Sequence, residues 1–307
     1  MDLSVSGAGV AARALADSRE LRILGWRGSR LKAVRLLLRA FVLYVVTAAG
    51  SITFLFPFAW TVSTSLKAPE QVWLQPPVWV PSPIVLGNYV RAFTSVPTLT
   101  FLKNTLTIVT LATIGTLLSS SMVAYSFSRL RWRGRDKLFL LLLSTMMLPS
   151  QVTMIPVFLI FYKIHWVNTL KPLFVPAFFG AAFDIFLLRQ FFLTIPLEID
   201  EAAIMDGANP LTVWGRIILP LARPALAAVA IFSFVGNWND FLGPLIYLNN
   251  VEKWTLPLGL LSFHTKAETR WSELMAYTVI IMLPCLLIFF FFQRYFIQGI
   301  VLTGLKG

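Results

Sequence analysis

The feature that most constrains this sequence is a series of apolar runs, each about 20 residues long and almost free of charged side chains. Six such runs can be marked, at 40–65, 104–128, 138–162, 172–188 with its continuation at 190–195, 224–239 with its continuation past Asp240, and 274–293. The bilayer core offers no water to an open backbone, so each run predicts a helix that crosses the membrane. Charged residues make up 13% of the chain, against roughly 25% in soluble domains. The sequence therefore predicts an all-α polytopic membrane protein with six transmembrane helices.

The 26 basic residues are divided unevenly between alternating loops. Eighteen lie on one side, in the stretch up to residue 39, the turn 129–137, the loop 189–223 and the tail from 294. Cytoplasmic loops are enriched in Lys and Arg, so both termini are predicted to be cytoplasmic. The basic residues behind the net charge of +12 lie beside apolar runs and not on one soluble face, so the predicted partner is membrane lipid and not nucleic acid. The five basic residues of the turn 129–137 need no role beyond anchoring.

The first 35 residues contain no short apolar region followed by a small-residue cleavage site, so they do not resemble a signal peptide. We interpret 1–35 as a basic, flexible or surface-lying cytoplasmic tail and 36–307 as one six-helix transmembrane domain. The proline-rich loop 66–100 is expected to be an ordered external segment, with Trp73 and Trp79 at the level of the lipid headgroups.

One loop on the basic side, 194–223, is long and still carries apolar residues at helical spacing. Pro196 followed by acidic residues predicts the start of a short helix, and Gly207 predicts its end. Asn209 and Pro210 then predict a second helix, which Pro220 is expected to end. Its predicted apolar face consists of Leu211, Trp214 and Ile218. The loop is therefore expected to form helix, tight turn and helix on the cytoplasmic surface.

The same loop contains the pattern E-A-A-x3-G-x9-I-x-L-P without departure, from Glu201 to Pro220. This pattern resembles the EAA loop by which permeases of ATP-binding-cassette (ABC) importers dock into a cleft on their ATPase subunits. The resemblance assigns coupling to the ATPase to Glu201, Ala202, Ala203, Asp206, Gly207, Ile217, Leu219 and Pro220.

Residue chemistry suits that role. Small Ala202 and Ala203 permit close approach of a partner, Glu201 can pair with a basic residue of the partner's cleft, and Gly207 permits the turn. The alternative is that Glu201 supports its own helix end and the alanines only fill the helix.

The resemblance extends from about residue 42 to 307 and is to carbohydrate permeases of the maltose and glycerol-phosphate type. Stretches that carry it include 57–60, 65–67, 81–83, 88–89, 186–192, 237–241, 293–296 and the closing 305–307. It implies the type I ABC importer (MetI-like) permease fold in a bacterial cytoplasmic (inner) membrane. It also implies a second homologous permease, an ATPase dimer, an extracytoplasmic sugar-binding protein and a carbohydrate substrate as partners.

No catalytic residue, metal site or bound cofactor is expected in this chain. It lacks a G-x4-GK-[ST] phosphate loop, so ATP and Mg²⁺ are expected on the partner ATPase. The main alternative is a secondary transporter of a small solute, which would show repeated halves, broken helices and several intramembrane charges.

Polar residues near the end of the fifth run are candidates for the substrate pathway. Unpaired polar groups are costly against lipid, so Asn237, Trp238, Asn239 and Asp240 are expected to face protein or water. They either touch sugar hydroxyls and rings or hold helices together without contacting substrate. Asp184, inside the fourth run, is expected to pair with another span, and a role in proton or cation coupling is the alternative.

Overall fold

The computed structural model describes residues 37–264 and 268–304, with side chains described as far as 292. The chain divides into two compact units, Met1–Trp60 and Thr61–Gly307. Within the described ranges the regular elements are helices, and the one isolated bridge joins His264 to Thr269. The all-α prediction is therefore confirmed for these ranges, while the predicted tail 1–35 and the closing residues 305–307 lie outside them.

The helices are labelled in chain order. They are α1 Leu37–Ser65, α2 Gly87–Thr94, α3 Thr98–Arg129, α4 Arg135–Thr145, α5 Ser150–Lys163, α6 Lys171–Phe174, α7 Ala182–Phe192, α8 Leu197–Met205, α9 Pro210–Leu221, α10 Arg223–Trp238, α11 Leu242–Tyr247, α12 Leu256–Gly259 and α13 Trp271–Gly304. Short 3-10 turns lie at Pro69–Gln71, Val175–Phe179, Val251–Lys253 and Leu260–Phe263.

Four helical segments in the described chain are long and apolar enough to cross a membrane by themselves: α1, α3, Lys171–Phe192 and Trp271–Phe292. Two further candidates are bent pairs, α4 with α5 at 96° and α9 with α10 at 83°. The number of spans is therefore four, or up to six if each bent pair crosses as one span. The six predicted spans are reached only under that condition.

The third and fourth apolar runs are interrupted, whereas the sequence analysis treated each as one helix. Between α4 and α5, Pro149 is extended, with φ −61 and ψ 134. Proline has no N–H to donate and disfavours a helical conformation at the preceding residue, so the helix breaks there. In the fourth run Gly180 has φ +84, a conformation that only glycine adopts readily.

Helix α3 is the central element of the second unit and packs against α7, α10 and the turn Val175–Phe179. Its approach to that turn depends on Gly115, where a Cβ would lie 2.7 Å from the ring of Phe178. We call the end of the bundle that holds the C-terminus of α3 and the basic turn 129–137 the basic end.

Two buried clusters hold the second unit together. The basic-end cluster consists of Ala124, Tyr125, Phe127, Phe139, Ile185, Leu188, Phe192, Ala203, Val213, Ile218, Ala222, Ala225 and Val229. The far-end cluster consists of Ala92, Val96, Phe101, Val109, Trp238, Leu256, Phe263, Ala276, Tyr277 and Ile281. Large apolar side chains elsewhere are open, such as Met147 at 82% and Phe291 at 72% exposure. Such a surface suits lipid or a partner chain rather than water.

The loop that follows α1 is ordered by hydrogen bonds, as the sequence analysis expected. The Asn88 amide donates to the carbonyl oxygens of Ser65 and Lys67, both at 2.8 Å. Trp73 packs edge-on against Trp271, with ring centroids 5.7 Å apart, so this indole contacts protein as well. Its predicted place at the headgroup level stays a prediction.

Candidate functional site

Helix α8 carries the first half of the motif and ends as the sequence predicts. Gly207 has φ +83, its N–H donates to the Ile204 carbonyl at 3.0 Å, and the N–H of Ala208 donates to the Ala203 carbonyl at 2.9 Å. These two bonds satisfy helix-end carbonyls and form a Schellman motif. A Cβ on Gly207 would meet no atom within 4 Å, so backbone conformation, not space, requires the glycine within this chain.

Helix α9 begins as predicted but presents a different face. The Asn209 side chain accepts a hydrogen bond from the Thr212 N–H at 2.8 Å, and Pro210 follows it as the first helical residue. The stretch Val213–Ile218 is π-helical, so residues five apart share a face. Val213 and Ile218 are therefore the buried pair.

The predicted face of α9 was accordingly wrong in part. Leu211 is 65% exposed, Trp214 is half-buried, and Ile218 is buried as expected. Pro220 also does not end the helix, which runs on to Leu221. Ile217 and Leu219 are half-buried, and Ile217 packs against the basic-end cluster, so this motif residue contributes to attachment on the bundle as well.

The two sides of α8 differ in environment. Asp200 and Ala203 are buried, at 7% and 9% exposure. The opposite face carries the exposed residues Glu198, Glu201, Ala202 and Met205. We call these four residues the outward face of α8; Asp206, the C-cap residue, is also exposed.

The two motif alanines therefore have different surroundings. Ala203 belongs to the basic-end cluster, so its small size lets α8 lie close to its own bundle. Ala202 is exposed and is the alanine that a partner could approach. From the sequence, both alanines were expected to permit close approach of a partner.

Arg129, the last residue of α3, was assigned an anchoring role from sequence, and the structure gives it a different one. Its side chain is 2% exposed, and Nη2 donates to the carbonyl oxygens of Phe192 and Ile195, both at 2.7 Å. Its Nε lies 3.6 Å from Oδ2 of Asp200. Burial raises the pKa of Asp200 above its usual value, and the guanidinium counteracts that shift. In the sequence, the only signals of this contact were a basic residue at the end of one apolar run and an acidic residue beside the motif.

The four pathway candidates lie at the far end of α10 and do not converge on one cavity. Trp238 is 2% exposed, and its Nε1 donates to the Ile281 carbonyl of α13 at 3.0 Å, so this indole joins two helices. Asn237 donates to the Ser233 carbonyl at 2.7 Å, one turn earlier in its own helix.

Asn239 and Asp240 are placed differently from that pair. Asn239 is exposed and donates to the Val235 carbonyl at 2.9 Å. Asp240 accepts a hydrogen bond from the Gly243 N–H at 3.0 Å and lines a cavity of about 250 Å³ together with Gln151 and other residues of α5 and α11.

Asp184 in α7 has no hydrogen bond or ion pair with any residue that the structure describes, so the expected pairing with another span is not seen there. The nearby Arg189 instead donates from Nε to the Phe127 carbonyl at 3.2 Å and lies over the ring of Phe139.

Comparison with known proteins places this arrangement in a family. Residues 115–301 match the family described as "Binding-protein-dependent transport system inner membrane component". The arabinooligosaccharides transport system permease protein of Halalkalibacterium halodurans is 36% identical over 231 residues, 75% of this chain and 82% of that protein. The trehalose/maltose transport system permease protein of Thermococcus litoralis is 32% identical over 287 residues, 90% of this chain and 98% of that protein.

A solved structure shows the same fold. It is the crystal structure of a bacterial ABC transporter involved in the import of the acidic polysaccharide alginate, with a TM-score of 0.75 and 25% identity. The match covers 84% of this chain and 96% of that one.

Proposed function

We propose, since this chain belongs to the family of binding-protein-dependent transport system inner membrane components, that it is a permease subunit of an ATP-driven sugar importer. The chain is a multi-pass protein of the inner membrane, and its relatives are transport permeases rather than enzymes. Its own contribution is half of the translocation pathway and the element that receives motion from the ATPase. In this arrangement the basic end and both termini face the cytoplasm.

The observation that carries the coupling role is the outward face of α8. Three of its four members lie within about one helical turn: the polar Glu201, the small Ala202 and the flexible Met205. Met205 is 87% exposed. The helix that bears them is held at its inner side by buried residues and is closed by the Gly207 turn. A short, firmly mounted helix with an open face can receive a rigid-body push from a partner.

The partners follow from the family and are part of the proposal. A second homologous permease completes the pathway, and an extracytoplasmic sugar-binding protein delivers substrate. An ATPase dimer holds ATP and Mg²⁺, because the phosphate-loop pattern is absent from the 307 residues of this chain. The names of the relatives favour oligosaccharides as the substrate class.

Within the pathway, Asn237, Asn239 and Asp240 are the candidates for sugar contact. Asn239 is the most exposed of the three amide or acid side chains, and Asp240 faces a cavity. Trp238 is assigned to helix packing, because its ring and N–H are both used inside the bundle.

A secondary transporter is the competing function, and the bent helix pairs are a feature that it would share. Family membership and the complete motif favour the importer. A docking helix on the basic end has no role in a transporter that works without an ATPase.

The test is charge reversal on the outward face of α8. A tagged chain carrying Glu201→Lys is expressed in the source bacterium, and the retained ATPase is quantified together with uptake of labelled arabinotriose, maltose, trehalose and diacetylchitobiose. We expect the variant to insert normally, to lose the ATPase and to lose uptake. Asp136→Lys is the matched control, since Asp136 is an exposed acid in the first turn of α4 at the same end.

Normal ATPase retention and uptake by Glu201→Lys would remove the coupling assignment. If the unaltered chain retains no ATPase at all, the importer proposal itself is wrong.

A further inference from the structure

A single buried side chain ties the docking helix to two other helices. Arg129 is the last residue of α3, and its Nη2 donates to the carbonyl oxygens of Phe192, at the end of α7, and Ile195, in the connection to α8. Its Nε lies 3.6 Å from Oδ2 of Asp200 on α8. We call these contacts of Arg129 with Phe192, Ile195 and Asp200 the Arg129 clamp.

The clamp lies in a closed environment. The side chains of Arg129 and Asp200 are 2% and 10% exposed, and Tyr125, Phe192 and Ala203 belong to the buried cluster at this end. Separating the two charges would leave each of them buried without its partner, which costs much more than breaking an exposed ion pair. The clamp therefore resists displacement of α8 relative to α3.

Apart from the clamp, α8 is attached through Ala203, through its contact with α9 and through the Gly207 turn. Its buried residues are Asp200 and Ala203, and Asp200 is itself part of the clamp. The connection to α7 is the four-residue segment 193–196, and one of its carbonyls is also held by Arg129. Arg129 is therefore a direct side-chain route by which a force on the outward face of α8 can reach α3.

We infer that the Arg129 clamp is the mechanical link that makes α8 move as one body with the basic ends of α3 and α7, so that motion received by α8 is delivered to both. This inference rests on the proposed coupling function. Arg129 and Asp200 are positioning residues, since neither lies on the face that would contact the ATPase.

Arginine suits this position for a geometric reason. A planar guanidinium presents several N–H donors in fixed directions, so it can serve two carbonyl oxygens and face a carboxylate at once. A lysine ammonium carries the same charge on a flexible stem without the planar fork. Arg129→Lys should therefore keep attraction to Asp200 but hold the end of α7 less firmly.

The test separates transmission from folding. Removing one partner of a buried ion pair destabilises a protein, whereas replacing both by apolar residues is often neutral. Arg129→Met and Asp200→Leu alone should lower the thermal midpoint of the purified complex, and the double variant should recover part of that loss, because the carbonyl oxygens of Phe192 and Ile195 still lack their donor. All variants are studied in the complete transporter with its own partner subunits.

Two measurements report the link itself. Uptake of the sugar that the unaltered transporter takes up is measured at matched ATPase content. Spin labels on α8 and α3, at Ile199→Cys and Met122→Cys with Cys285→Ser, report the distance between these helices with and without ATP. Ile199 and Met122 are 36% and 46% exposed, and Ile199 is outside the outward face of α8.

In the transporter with the unaltered clamp, we expect a single narrow distribution of distances between the two labels, and ATP should not change it. In the double variant we expect normal ATPase retention and a thermal midpoint above that of either single variant. The distance between the two labels should then change with ATP. Uptake should fall about tenfold, a usual size for a lost coupling interaction. The uptake of Arg129→Lys should lie between that of the unaltered transporter and that of the double variant.

Normal uptake and a constant label distance in the double variant would overturn the clamp. Loss of the ATPase from the double variant would also count against it, because the pair would then serve docking. Absence of the ATPase from the unaltered complex would instead refute the proposed function on which the clamp depends.

Discussion

Gly207 gives the sharpest prediction, because backbone conformation and charge can be changed there separately. Its φ of +83 lies in the left-handed region, and an added Cβ would meet no atom within 4 Å. Gly207→Ala therefore tests conformation alone, Gly207→Asn places a residue that tolerates this conformation, and Gly207→Asp adds a negative charge to nearly the same side chain.

The magnitude follows from the conformation. An L-residue other than Asn or Asp pays about 1–2 kcal/mol in the left-handed region, and the structure adds no steric term to that. The lower conformational entropy of unfolded Ala relative to Gly offsets about 0.4–1 kcal/mol. Gly207→Ala should thus weaken the turn by about 1 kcal/mol, which corresponds to roughly fivefold more frequent opening.

Hydrogen exchange of the Gly207-position and Ala208 amides measures that opening, since both N–H groups are bonded to α8 carbonyls only while the turn is closed. Exchange should be about fivefold faster in the Gly207→Ala variant, and in the Gly207→Asn variant it should be close to the rate of the unaltered protein. ATPase retention should be nearly normal for Asn and lost for Asp, because Asp adds charge beside Asp206. Equal exchange in the Ala and Asn variants would refute the conformational reasoning, and equal ATPase retention in Asn and Asp would refute the charge argument.

Three further predictions follow from burial and hydrogen bonding. Ala203→Leu should destabilise the protein by about 1–3 kcal/mol through overpacking, whereas Ala202→Leu should leave thermal stability unchanged and reduce ATPase retention; similar melting of both would contradict the assignment of faces. Trp238→Phe should lower the free energy of unfolding by about 1 kcal/mol, because it removes the N–H donor to a buried carbonyl, and should leave the transport KM unaltered. A changed KM would indicate that the indole contacts substrate. Both amides donate to a carbonyl one turn earlier, but Asn239 is exposed and Asn237 is half-buried, so Asn239→Ala should change the KM for sugar uptake more than Asn237→Ala; equal effects would count against sugar contact by the exposed amide.

Local features of the candidate site were accessible from sequence because each depends on a few neighbouring residues. The end of α8 at Gly207 and the start of α9 at Asn209 were both anticipated, since a turn needs a positive φ and a helix start needs a side-chain acceptor. The face of α9 was not, because the π-helical stretch changes which residues align. That stretch has no distinctive residue pattern.

The break at Pro149 was a different kind of omission. The proline was visible in the sequence, but the apolar run on either side was long enough to span a membrane and was treated as one helix. A bend of 96° is permitted only where neighbouring protein can satisfy the freed backbone, and that is a property of packing.

The sequence alone determined the class of this protein, because its long apolar runs and low charge exclude a water-soluble fold. The motif could also be recognised from sequence, because its residues lie at fixed spacing within one loop. The sequence also determined the two-helix form of the loop. Only the tertiary structure decided that Arg129 is a buried clamp rather than a membrane anchor, that the two motif alanines face opposite environments, and that Trp238 joins two helices. These roles depend on which distant segments meet, and side-chain burial and hydrogen-bond partners exist only once those segments have packed together.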